Sequence, residues 1–126
     1  MMKFKNITRT YRNKLYCLPW KYLTKLNLYE DKGCPIKYVT EDKDWAIKNV
    51  GLNLKRELDI LTPNKIEMLT NPSKTIKKIV HFGSQYMWVN WGEHMSKDNY
   101  FISTFFHGKS TDGDEVKIHI DNFLKT

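Results

Sequence analysis

Two histidines stand at the ends of two short apolar runs. The first run reads Ile79-Val80-His81-Phe82-Gly83-Ser84, and the second Tyr100-Phe101-Ile102-Ser103-Thr104-Phe105-Phe106-His107-Gly108. Neutral imidazole titrates near physiological pH, so His81 or His107 could act as a general base or donate a hydrogen bond to a bound acceptor. The alternative for each is an imidazole bonded to a loop backbone. Gly83 and Gly108 beside them would let a ligand approach the main chain. His94 and His119 fall in segments that read as helix and are expected at the surface.

Other chemistries fit these residues poorly. Gly108-Lys109-Ser110 has the end of a phosphate-loop pattern, but the glycine that pattern needs five residues earlier is Ser103, and the intervening positions read as strand. Ser84 lacks the Gly-x-Ser-x-Gly context of a nucleophile elbow. The four histidines have no carboxylate or thiol at ligand spacing, so no metal site is expected.

Positioning these residues requires strands. A continuous apolar run suits a strand buried on both faces, as in a parallel sheet covered by helices. Short β-prone runs that read as the strands are Ile36 to Thr40, Ile66 to Leu69, Ile76 to Phe82 and Tyr100 to Phe106. Leu54, Leu58 and Leu61 recur at helical spacing after Gly51, and Thr62-Pro63-Asn64 ends that helix. Tyr86 to Met95 reads as a short helix over the sheet. The acids Asp112 to Glu115 favour a final helix with Val116, Ile120, Phe123 and Leu124 on one stripe. Mostly alternating elements imply an α/β fold with a Rossmann-like, mostly parallel sheet flanked by helices. Ligands of such sheets bind outside the carboxyl ends of the strands. The loop after the first strand, with Trp45 and then Gly51, would face the same cleft. Tyr86, Trp88 and Trp91 could wall a sugar site, though core packing is the commoner use of such a cluster.

A chain of 126 residues, 40% hydrophobic, suits one folded domain. Its charge of +7 is lopsided: Lys3, Lys5, Arg9, Arg12, Lys14, Lys21 and Lys25 all precede the first acid, Glu30, and the rest of the chain is balanced. Residues 1–34 therefore read as a basic, aromatic N-terminal extension and 35–126 as the main domain. In the extension only a short helix beginning at Pro19 is expected. Its partner could be an anionic membrane surface. The balanced charge after residue 29 argues against nucleic acid. Cys17 and Cys34 read as reduced, packed thiols. No transmembrane run or signal peptide is evident, so the expected location is cytoplasmic, with a peripheral place at the inner membrane face as a further option.

Three stretches carry a family resemblance. They are residues 38–48 (Tyr38-Val39-Thr40-Glu41-Asp42-Lys43-Asp44-Trp45-Ala46-Ile47-Lys48), Ile79 to Ser84, and Thr104-Phe105-Phe106-His107-Gly108. In order and spacing they resemble the N-terminal domain of GT-B glycosyltransferases of the family 4 (group 1) type, from about Ile36 to the C-terminus. The resemblance implies a two-domain, retaining, metal-independent enzyme that uses a nucleotide-sugar donor and needs no other cofactor. Its N-terminal domain mainly binds the glycan or lipid-linked acceptor. His107 matches the histidine of the family's Phe-His motif and would be the catalytic residue, near the reacting sugar. Gly51 would be the loop glycine near the donor phosphates, although Val50 stands where the family has a second glycine. His81, Gly83, Ser84, Gly108 and Trp45 would line the substrate side.

The family's donor-binding C-terminal domain, with its Glu-x7-Glu motif, is not within this sequence. The expectation is therefore an incomplete N-terminal GT-B domain, inactive alone, whose partner is a missing domain or chain. The competing expectation is a non-enzymatic Rossmann-like binding module with a basic docking terminus.

Overall fold

The computed structural model describes residues 2–41, 46–104 and 120–125, with the backbone alone over residues 2–10. Its strands are β1 (Ile36–Val39), β2 (Ile66–Leu69), β3 (Ile79–Phe82) and β4 (Tyr100–Ser103). They form one sheet in the order β2-β1-β3-β4, parallel throughout. Helices α1 (Met2–Lys25), α2 (Ala46–Leu61) and α3 (Gln85–Met87) flank it, and α3 runs into a π-helical turn, Trp88–Gly92. The protein is thus α/β with a Rossmann-like sheet, as the alternating apolar runs imply.

Each face of the sheet has its own cover. Alternation puts Val39, Val80, Phe82 and Phe101 on one side. There Trp88 lies edge-on to Phe82 and Phe101, with 5.8 Å between ring centroids in both pairs. Phe123, in the helical segment 120–124, meets Trp88 at 5.0 Å. Cys17 of α1 joins the same core. Tyr38 and Met68 face the other way, toward α2.

Several boundaries differ from the expected ones, for identifiable reasons. α1 is continuous through Pro19. Proline removes the bond to the carbonyl of Leu15, but both residues are exposed, so that carbonyl can be hydrated. The helix is held from its inner side. Asn13 Nδ2 donates to the Asn90 carbonyl at 2.9 Å, Tyr16 stacks on Trp91, and the Lys74 ammonium lies 4.7 Å from the Trp20 ring centre. α1 ends in a Schellman turn: Asn27 is left-handed (φ 58°), and the Leu28 N–H reaches the Leu23 carbonyl at 2.9 Å.

β3 begins at Ile79 rather than Ile76 because Lys77 is left-handed (φ 57°), which interrupts an extended run. Ile76 is nevertheless buried, its N–H donating to Asp31 Oδ2 at 3.1 Å. The expected helix over Tyr86 to Met95 is a short α-turn that widens to π geometry, with the Trp88 ring folded over Gly92 where a side chain would collide. Leu124 is exposed and does not share the inward stripe of Phe123.

Candidate functional site

The chain leaves β1 for β2 on one side, and later places β3 on the other side of β1, with β4 beyond. The carboxyl ends of β1 and β3 therefore flank a topological switch point, where open parallel sheets form a crevice. The ladder runs one residue past β1, β3 and β4. The Thr40 N–H reaches the Leu69 carbonyl at 3.0 Å, Gly83 reaches Val39 at 2.9 Å, and Thr104 reaches Phe82 at 3.1 Å. These bonds fix Thr40, Gly83 and Thr104 along one rim.

His81 lies two residues below that rim, on the α2 side of the sheet. Its register partners are Tyr38 in β1 and Ile102 in β4. The imidazole meets the Tyr38 ring edge-on at 5.0 Å, and its Nε2 is 3.1 Å from Thr104 Oγ1. Burial pushes its pKa below the usual histidine value, so the ring is neutral at physiological pH. With Nε2 engaged, His81 is built to hold Thr104 in place more than to exchange protons.

The small residues after it are packed. A Cβ on Gly83 would stand 2.6 Å from Ile47 Cγ2 and 2.9 Å from the Tyr38 hydroxyl. That hydroxyl is itself fixed, donating to the Ile47 carbonyl at 3.0 Å. Gly83 thus lets α2 close on β1 at the rim. Ser84 is buried in extended geometry (φ −152°, ψ 163°) before α3, and its side chain makes no capping bond.

Gly51 needs a correction. The expected position was the loop near donor phosphates, but Gly51 lies inside α2 and is buried. A Cβ there would come within 2.5 Å of Tyr38 Cε1 and 2.7 Å of Met68 Cε. It allows close helix-to-sheet approach, and its backbone is not open to a phosphate. Trp45, His107 and Gly108 lie outside the described residues. Trp88 and Trp91 are core residues, and only Tyr86 of that aromatic cluster is exposed. His94 is half-buried rather than on the surface, with its pKa lowered chiefly by burial. Among the described residues no cluster of His, Cys, Asp or Glu is placed to hold a metal ion.

Two features were missed in the sequence. Tyr38 and Thr104 both bear on His81, and the only hint was that each sits within a β-prone run. The second feature lies at the opposite, amino ends of the strands. A cavity of about 470 Å³ opens between α1 and the segments before β3 and β4, lined by Lys21, Lys25, Lys77 and Lys97. These lysines are scattered over the sequence, so no run of basic residues announces them.

Comparison of the chain with known protein families, with characterised proteins and with solved structures finds no match to any of them.

Proposed function

We propose that this domain is the acceptor-side portion of a glycosyltransferase that moves a sugar from a nucleotide-sugar to a glycan or lipid-linked acceptor. The observation that supports this reading is the parallel pairing of β3 with β4. His81 stands opposite Ile102 and Phe82 opposite Ser103, so both motif-bearing strands finish on one rim beside the switch point. The Phe-Gly-Ser turn and the segment that continues from Thr104 to His107 then begin at the same edge.

On this reading His107 is the group near the reacting sugar. His81 is a positioning residue that acts through Thr104. Gly51 takes no part in donor binding, and the nucleotide and its phosphates are held by a second lobe supplied in the same or another chain. The domain alone then binds acceptor without turning over.

The test is a titration of the isotopically labelled chain with a panel of alkyl hexosides and, separately, of nucleotide-sugars. Saturable shifts of the Gly83, Ser84 and Thr104 amides with at least one hexoside are expected. A panel that leaves those amides unmoved would count against the reading and favour a non-enzymatic module.

A further inference from the structure

The outward face of α1 is apolar and, among the described residues, largely exposed. Tyr11, Leu15, Leu18, Tyr22 and, just past the helix end, Leu26 are 64, 56, 49, 65 and 54% exposed. Their spacing keeps them on one stripe at about 100° per residue. Asn13 and Cys17, which anchor α1 to the domain, lie on the opposite side and are buried. The helix therefore has two apolar sides, one facing the core and one facing out.

Charge identifies what covers the outer side. Lys14, Lys21 and Lys25 run along one flank of the stripe and Arg12 along the other, and no acid occurs before Glu30. The lysine-lined cavity abuts the same stripe. Leu18 and Tyr22 form part of its wall, Lys21, Lys25, Lys77 and Lys97 supply its charge, and Asp98 is its one acid. A second copy of α1 seated on the stripe would set lysine against lysine with no acid between them. A free anion would use the cavity and leave the stripe exposed. An anionic bilayer satisfies both, because tyrosine and leucine side chains enter the headgroup boundary while lysines meet lipid phosphates. Among the described residues no helix is long and apolar enough to cross a membrane, so α1 would lie in the plane of the interface.

We propose that the outward face of α1 docks on an anionic membrane surface, with a lipid phosphate held in the cleft formed by Lys21, Lys25, Lys77 and Lys97. This inference stands apart from the glycosyltransferase reading, since it uses the opposite end of the sheet and no residue of the rim.

The experiment is co-sedimentation of the full chain with phosphatidylcholine vesicles and with vesicles carrying phosphatidylglycerol. Partitioning is expected to be at least about tenfold stronger on the anionic vesicles and to weaken with salt. Lys21→Gln and Lys97→Gln should each lower it about fivefold. The pair Leu15→Gln with Leu18→Gln should lower it by a similar or larger factor, with the thermal transition unchanged because both positions are exposed. Equal partitioning on the two vesicle types, or none, would overturn the proposal. So would a concentration-dependent dimer that the leucine variants abolish, which would assign the stripe to a second copy. Saturable shifts of the Lys97 amide with inorganic phosphate but no vesicle binding would assign the cleft to a soluble anion and would equally overturn it.

Discussion

The His81 imidazole and the Thr104 hydroxyl meet at 3.1 Å, joining β3 to the first residue beyond β4. The contact ties a half-buried ring to the point where the second motif-bearing segment leaves the sheet. Thr104→Val keeps the shape and removes the hydroxyl, leaving Nε2 without that partner. A loss of about 1 kcal/mol in unfolding free energy is expected, read from urea denaturation at neutral pH. Unchanged stability would show that the contact contributes nothing to the fold.

The same ring gives the fold a pH dependence of known sign. Burial lowers the His81 pKa from its ordinary 6.5. Between the two values the unfolded chain binds more protons than the native one, so stability is complete above pH 6.5 and falls on acidification. His94 contributes in the same sense, since burial is the largest cause of its lowered pKa. His81→Gln preserves a hydrogen-bonding side chain without the titration. The acid slope of its unfolding free energy should be shallower than in the wild type, leaving the share of His94. An unchanged slope would mean that His81 is not desolvated.

Gly51 separates packing from ligand binding. Alanine in a helix is favoured over glycine by about 1 kcal/mol. Here the added methyl would press on the Tyr38 ring, which is only 2% exposed and has no room to retreat. Overpacking of this kind costs about 1–3 kcal/mol, so Gly51→Ala should come out net destabilising by about 1 kcal/mol in thermal or denaturant unfolding. A net gain in stability would show that α2 stands farther from β1.

Lys37 is a buried charge at the start of the sheet. Its ammonium is 2.7 Å from Glu67 and 4.0 Å from Asp31. Glu67 is partly exposed, so the pair is intermediate between surface and buried cases, and Glu67→Ala should cost about 2 kcal/mol. Lys37→Met, which removes the need for a partner, should be near neutral. If the two variants lost equal stability, the burial of Lys37 would be in question.

Thiol chemistry checks whether α1 belongs to the core. Burial pushes the Cys17 thiol up to about 11, with Lys21 nearby only partly offsetting it. In native protein at mildly alkaline pH, alkylation should modify Cys34 and spare Cys17 until the chain unfolds. Rapid labelling of Cys17 would mean that α1 detaches from the domain.

The sheet was legible because four short β-prone runs bounded by turn residues suit strands, and all four are strands. β1 and β2 keep nearly the expected bounds, β3 starts three residues late and β4 ends at Ser103. α1 was not, because Pro19 reads as a break and only the tertiary anchors at Asn13, Cys17 and Trp20 override it. Gly51 was misplaced for a related reason. A glycine near a strand-to-helix junction suits a ligand loop and a close helix contact equally, and only the Tyr38 ring distinguishes them. The lysine cleft could not be read at all, since it exists only where residues from α1, from the turn before β3 and from the turn before β4 converge.

The most direct measurement of the central claim is photo-crosslinking with an alkyl hexoside that carries a diazirine near the sugar, followed by peptide mapping. The account expects label within residues 81–84 and 104–108, competed away by unlabelled hexoside. Label confined to α1 and the lysine cleft, or spread without competition, would contradict it.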